Sequence, residues 1–446
     1  MNETNLSKRR QLLKLTWPLF LEMILFSVIG SVDTLMLNNF DTNATGAVGN
    51  VNQILSLFQV LSNIITAGTG ILLAQYIGAG KTLKEKQPLI MGALIVNTLL
   101  GAIFSLAAVF GTDILLDLMG VNPEHRDYCA EYMRIVGGFL WVQMLAMTFS
   151  TVIRCHGKTT VSMIFSVGMN LINVGLNALL IYGLWFFPKM GVAGAAIATA
   201  VSKCLACVAG GIYMFFFVMK GMSLRIHWKN TWKSIKSVVA IGSPAAGEQI
   251  SYTLSKIVVM AMINSLSAIA VDTYALINTI VTFVYLLSMA LGQGTSIIIG
   301  WEVGKGTTDE AKKLAMFSTR ISTLMAMLCL GILIAIGYPL LNLLNPAIVK
   351  LGMAVLFADI LLELGRSRNL VLVNALRAAG DVRFPLYVGL FSMWFFSVGV
   401  SWLLGIQLGW GLVGIWLGLG MDEFFRAVAM QIRWQKGTWI RYIKIN

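Results

Sequence analysis

The stretch Ser27-Val28-Ile29-Gly30-Ser31-Val32-Asp33-Thr34-Leu35-Met36-Leu37 places one carboxylate inside an apolar run from near Leu15 to near Asn38. About 20 apolar residues in a helix, rising about 1.5 Å each, cross the hydrocarbon core of a bilayer. The run is long enough. A carboxylate at that depth is costly, so Asp33 must be paired, protonated or bound to a cation. A hydroxyl or a lysine nearby would satisfy it for packing alone. Intramembrane acids, however, mark function by default.

The rest of the chain has the same character. Of 446 residues, 57% are hydrophobic and only 12% charged, with a mean hydropathy of +0.78. A soluble domain carries nearer a quarter charged residues. Twelve apolar runs of spanning length follow one another, joined by loops too short for a soluble domain. The net charge of +13 would suggest a nucleic-acid partner in a soluble protein. Here topology accounts for it, and no nucleic acid is expected. Lys and Arg crowd into the N-terminus and every second loop, whereas the alternate loops hold Arg126, Arg134, Lys189 and Lys350. Lys203, Lys256, Arg366 and Arg368 fall within spans. The positive-inside rule then puts both termini in the cytoplasm of a multi-pass protein of the cell membrane, with lipid around it. The first run is too long for a cleaved leader and lacks a small-residue cleavage site. Five cysteines make no disulfide framework, and Cys204 and Cys207 read as small buried thiols within a helix.

In order, α1 covers about 15–38, α2 about 48–78, α3 about 88–116, α4 about 128–153, α5 about 160–184 and α6 about 191–219. A basic connector, 221–236, carries Trp228 and Trp232 and reads as a segment lying on the anionic leaflet. The spans α7 to α12 start near Ser237, Ala268, Ala311, Ala347, Val382 and Trp410. An internal repeat runs through them. Pro18 and Glu22 recur as Pro244 and Glu248, and Gly68, Gly78 and Gly80 as Gly294, Gly304 and Gly306, all at an offset of 226. Arg154-x-x-Gly157 recurs as Arg377-x-x-Gly380, and Gly191-x-x-Gly194 as Gly411-x-x-Gly414. Six spans per repeat is an even number, so both halves insert in the same sense and an axis along the membrane normal relates them. The expected fold is all-α: a polytopic membrane protein of twelve helices in two pseudo-twofold-related six-helix lobes, 1–220 and 237–446.

On α5, Asn170, Asn173 and Asn177 share one helix face by their spacing of three and four; Ala195, Thr199 and Ser202 do the same on α6. Taken singly, the amides read as interhelical glue. With Asp33 they offer one carboxylate, two amide oxygens and a hydroxyl, a set of hard oxygen donors suited to a hard cation. A proton on Asp33 could take the cation's place. By the repeat offsets, Asp33 maps to Val259, Asn173 to Phe396, Asn177 to Val400 and Thr199 to Leu419, so the second half lacks the set.

At this point the chain resembles the multidrug and toxic compound extrusion (MATE) transporters, over nearly its whole length. Pro18 with Val32-Asp33-Thr34, Ala74-Gln-Tyr-Ile-Gly-Ala-Gly80, Asn170-x-x-Asn173-x-x-x-Asn177 and Gly191-Val-Ala-Gly-Ala-Ala-Ile-Ala-Thr199 carry the resemblance. The resemblance implies a V-shaped pair of six-helix lobes that exports small organic, often cationic, compounds against Na⁺ or H⁺. It implies a first-lobe cation site at Asp33, Asn173, Asn177, Thr199 and the carbonyl of Ala195. Many members have Asp where this chain has Asn177, which removes one negative charge. Some carry acids in α7 and α10; here Glu248 comes early in α7 and Arg366 stands where an acid would be expected. No second-lobe ion site is therefore carried over.

Other polar residues complete the reading. Glu22 lies on the same face of α1 as Asp33, about 16 Å away. It serves a second protonation step or pairs with Lys203. Glu248 is its repeat mate and a second coupling candidate. Pro18 either sits harmlessly near the helix start or acts as a hinge that bends α1 when Asp33 changes charge. Glu363 with Arg366, and Asp422 with Arg426, have the spacing of structural ion pairs. Lys256 is expected to meet an acid across the lobe, with Asp359 at a suitable depth. The expected function is secondary antiport of organic cations or amphiphiles by a monomer, with no cofactor beyond the coupling ion, Na⁺ or H⁺. Two alternatives are a lipid-linked precursor flippase, which would show a strongly cationic cavity, and a non-transporting receptor or scaffold, which would need a soluble signalling part. An enzyme is not expected: His125, His156 and His227 are scattered over loops and no nucleophile–base pairing is readable.

Overall fold

A computed structural model of the chain describes residues 3–223 and 225–443. Among the described residues, eight single helices are long and apolar enough to cross a membrane. They are α1 (Glu3–Phe40), α2 (Thr42–Gly78), α3 (Leu83–Phe110), α5 (Thr159–Tyr182), α6 (Gly191–Tyr213, extended by a wide π-turn to Val218), α8 (Ala268–Gly304), α9 (Thr308–Leu344) and α11 (Arg383–Ser392, likewise extended to Gln407). A ninth span, α4, is made of Pro123–Gly138 and Leu140–Cys155, bent by 46° at the break. The bend follows the pair Gly137-Gly138, where the helix is weakest.

Three more helices complete the twelve. They are α7 (Trp228–Asn264), α10 (Val349–Ala378) and α12 (Gly411–Lys436), of 37, 30 and 26 residues. Each is long enough to span, but carries charges inside it that lower its hydropathy: Glu248 and Lys256, then Asp359, Glu363 and Arg366, then Asp422, Glu423 and Arg426. Those charges largely meet one another, as described below. The basic connector of the sequence reading is shorter than expected. Helix α7 already begins at Trp228, so Trp228 and Trp232, 64% and 57% exposed, stand on its first turns rather than on a separate segment.

The repeated glycines have two uses. Gly157 and Gly380, three residues after Arg154 and Arg377, adopt φ of +77° and +95°, a left-handed turn that ends α4 and α10 after the arginine. Gly78 and Gly304 instead permit close approach: a Cβ on Gly78 would lie 2.0 Å from the Trp301 carbonyl oxygen, and one on Gly304 2.1 Å from that of Gln75.

By their contacts the residues form two units. One holds Leu21–Leu73 and Lys81–Ser243, with a core that includes Leu37, Val51, Leu116, Tyr132, Ile181 and Ala196. The other holds Met1–Phe20, Ala74–Gly80 and Pro244–Asn446. Its core has two buried clusters, one around Leu12, Ile298, Val371 and Trp434 and one around Val259, Ile277, Val355 and Trp416. The division by contacts thus departs from chain order. Helix α1 changes unit two residues after Pro18, and α7 changes unit at Pro244.

Candidate functional site

Asp33 stands in the Leu21–Ser243 unit. Two tyrosine contacts near the end of α1 hold it there: the Tyr182 hydroxyl of α5 donates to the Met36 carbonyl at 2.8 Å, and the Tyr128 hydroxyl of α4 donates to Asp41 Oδ2 at 3.1 Å. The neighbouring hydroxyls on α1 are turned back on their own helix, Ser31 to the Ser27 carbonyl and Thr34 to that of Gly30. The Asp33 carboxylate is therefore free of them and faces α5.

There it meets the expected amides. Asn177 Nδ2 donates to Asp33 Oδ1 at 2.9 Å and to Asn173 Oδ1 at 3.3 Å, and Asn173 Nδ2 donates to Thr199 Oγ1 at 3.3 Å. Four of the five residues expected at the site come together. Ala195 lies one turn before Thr199 on α6, in the same buried cluster as Leu37 of α1. The Asn173 amide is better satisfied in the opposite orientation. Turned over, its nitrogen donates to Asp33 Oδ2 at 3.0 Å, and its oxygen accepts from the Thr199 amide at 3.2 Å and hydroxyl at 3.3 Å. In the first orientation the amide oxygen faces the carboxylate, a repulsive contact, so the turned-over amide is the better satisfied of the two. Asn177 Oδ1 is buried without a hydrogen-bond partner. Asn177 Oδ1, beside the Asp33 carboxylate, thus keeps unused lone pairs, an oxygen donor of the kind a small hard cation takes.

The site opens on a cavity of about 690 Å³. Asp33, Asn170, Asn173, Thr199 and Ser202 line it. So do polar residues that the sequence reading passed over: Asn52, Gln59 and Asn63 of α2, and Tyr132 and Gln143 of α4. Asn52, Gln59, Asn63 and Thr66 recur at seven, four and three, a helical face legible in the sequence as a polar stripe in an apolar run. All the lining residues belong to one unit.

The remaining candidates are placed differently from expectation. Glu22 does not pair with Lys203. Its Oε1 accepts from Arg154 at 2.6 Å, while Lys203 Nζ donates to Gln143 Oε1 at 2.7 Å. Arg154 is the nearer partner because the end of α4 brings it to the depth of Glu22. The repeat produces the same pair in the other unit, where Arg377 donates to Glu248 at 2.6 Å. Glu248 also lies 3.9 Å from Arg426, which pairs with Asp422 at 3.1 Å and Glu423 at 2.9 Å. Arg366 pairs with Glu363 at 2.6 Å, as the spacing predicts. Glu248 is thus one member of a buried ion-pair network, not a lone acid.

The expected meeting of Lys256 with Asp359 does not form. Asp359, fully buried, accepts the Trp416 indole N–H at 2.8 Å, and the Lys256 ammonium stands 5.5 Å from the Tyr252 ring. Among the described residues no carboxylate comes within 4.0 Å of Lys256. Helix α1 is continuous through Pro18. Cys129, Cys155, Cys204, Cys207 and Cys329 form no disulfide among the described residues.

Comparison with known proteins agrees with this architecture. The MatE family model matches residues 18–179 and 244–403, one match in each half of the repeat. The uncharacterized transporter YisQ of Bacillus subtilis is 34% identical over 97% of this chain and 96% of its own. The probable multidrug resistance protein NorM of Thermotoga maritima is 26% identical over 97% and 93%. Among solved structures, MATE in the bent conformation superposes with a TM-score of 0.89 at 17% identity, over 98% of this chain and 96% of that one. A variant of the Vibrio cholerae MATE transporter VcmN gives 0.89 at 18% identity, over 98% of both chains. The chain therefore belongs to the multidrug and toxic compound extrusion family: it is an integral membrane transporter of twelve helices in two lobes, and not an enzyme.

Proposed function

We propose that the chain is a secondary antiporter of the cell membrane that exports small organic compounds, cationic or amphiphilic, in exchange for Na⁺ or H⁺. The observation that carries this reading is the Asp33 carboxylate, hydrogen-bonded to Asn177 at 2.9 Å, on the wall of a cavity of about 690 Å³. A cation or proton arriving at Asp33 removes the negative charge that holds a cationic substrate. The amide oxygens of Asn173 and Asn177 and the Thr199 hydroxyl supply neutral donors around it, and Asp33 alone supplies the charge. With Asp33 bare, the cavity attracts substrate; with Asp33 occupied, it releases substrate. Coupling then follows from the ion's different affinity in the two access states. The basic N-terminus and even-numbered loops support both termini lying in the cytoplasm. Relatives named as multidrug resistance proteins support a drug-like substrate range.

The test is efflux from proteoliposomes under a Na⁺ gradient or a pH gradient, imposed one at a time. Wild-type protein should respond to one of the two, and Asp33→Asn to neither, while still inserting and eluting as a single species. Gradient-driven efflux retained by Asp33→Asn would refute the reading.

A further inference from the structure

The cavity beside Asp33 has three charged side chains on its wall: Asp33, Arg154 and Lys203. Arg154 is neutralised by Glu22 at 2.6 Å and is fixed by its Nε–H on Ser162 Oγ at 2.8 Å. Asp33 is accounted for by the amides of α5. Lys203 is not accounted for. Its ammonium donates to the uncharged Gln143 Oε1 at 2.7 Å, and among the described residues no carboxylate lies within 4.0 Å of it. One amide oxygen uses one of the three ammonium hydrogens and none of the charge. A lone ammonium held within membrane-spanning helices is costly, and such residues mark substrate pathways. A role in packing α6 against α4 would be met equally by an uncharged amide at this position.

Its place is specific. Lys203 follows Thr199 by four residues on α6, so the two stand one turn apart on one helix face, and both line the cavity. The ammonium and the Asp33 site are thus neighbouring features of one wall. With Arg154 and Glu22 cancelling, the cavity carries one negative point at Asp33 and one positive point at Lys203. Once the coupling ion neutralises Asp33, the positive point remains.

We propose that Lys203 binds an anionic oxygen group of the substrate, a carboxylate above all, so that the preferred cargo is zwitterionic: its cationic end lies toward Asp33 and its carboxylate on the Lys203 ammonium. This deepens the antiport reading and rests on it. The ion displaces the cationic end only, and the carboxylate contact sets which compounds enter.

Two xanthylium dyes, identical except that one carries a free carboxylate and the other its methyl ester, give the test. Binding to the purified full-length protein is followed by fluorescence polarisation, which needs no turnover, and uptake is followed in proteoliposomes. Wild type should bind the acid more tightly than the ester. Lys203→Gln should weaken acid binding by about tenfold or more, the scale of a lost charge-assisted contact, and leave the ester within about twofold. Lys203→Arg should keep the preference for the acid. Equal loss of both dyes in Lys203→Gln, no change in either, or no binding of the acid by wild type would each overturn the proposal. Asp33→Asn separates the two readings. If an ion gradient still drives both dyes across the membrane in that variant, ion coupling at Asp33 fails, while the ratio of acid to ester binding continues to report on Lys203.

Discussion

Removing one member of the Glu22–Arg154 pair tests whether the repeated ion pairs hold the structure together. Glu22 Oε1 and the Arg154 guanidinium are 2.6 Å apart, with side chains 13% and 28% exposed. Breaking a fully buried pair by deleting one partner costs about 3–5 kcal/mol, whereas an exposed pair contributes about 0–1 kcal/mol. The exposure here is intermediate and the Arg154 side opens on a polar cavity, so the expected coupling is about 2 kcal/mol, about 30-fold in an equilibrium constant. Four proteins give the cycle: wild type, Glu22→Gln, Arg154→Gln and the double variant. Each single variant should lose about 2 kcal/mol, and the double variant little more than either single, because the second change removes a charge that the first left unpaired. Unfolding in mixed micelles of rising dodecyl sulfate fraction, followed by the fluorescence of the 12 tryptophans, supplies the free energies. The same cycle on Glu248 and Arg377, also 2.6 Å apart, should give a similar coupling. Strictly additive losses in both cycles would refute the view that these pairs act as structural clamps.

Three further outcomes are expected. Trp416→Phe removes the indole donor from buried Asp359, whose other oxygen already lacks a partner; it should cost about 2–3 kcal/mol, and Asp359→Leu in that background should restore part of the loss in the same unfolding assay. Gly304→Ala would press a methyl group to 2.1 Å from the Gln75 carbonyl oxygen, so the variant should lose about 3 kcal/mol or fail to fold, read as loss of the monodisperse peak in fluorescence-detected gel filtration. Asn177→Asp sets a second carboxylate at the position of the amide that now donates to Asp33 at 2.9 Å; the pair should hold a cation or proton more tightly, seen as a lower ion concentration for half-maximal efflux.

The sequence made the backbone plan and the Asp33 site legible for different reasons. Apolar runs report spans directly, because a bilayer tolerates few other patterns. The polar set on α5 was legible because Asn173 and Asn177 are four apart, on one helix face, in a run that also has Asp33 to meet. Partners across helices were harder. Glu22 and Arg154 are 132 residues apart, and nothing local ties them. Yet the repeat had marked both Glu22/Glu248 and Arg154/Arg377, residues of opposite charge conserved between the halves of one chain. Read together, the two matches would have named both pairs. Lys256 went wrong for the converse reason. Depth alone suggested Asp359, but the Trp416 indole takes one oxygen of that carboxylate and leaves the other without a partner.

The chain crosses from one unit to the other after Phe20, Leu73, Gly80 and Ser243. Pro18 lies just before the first crossing and Pro244 just after the last, and each removes one rung of the helical ladder at that point. Gly80, at φ +67°, sits at a third. The Asp33 site and the Glu22–Arg154 pair lie wholly within one unit, and the Glu248–Arg377 pair wholly within the other. Lys203 and the prolines therefore occupy separate parts of the plan, so a substitution at one can be read without disturbing the residues around the other.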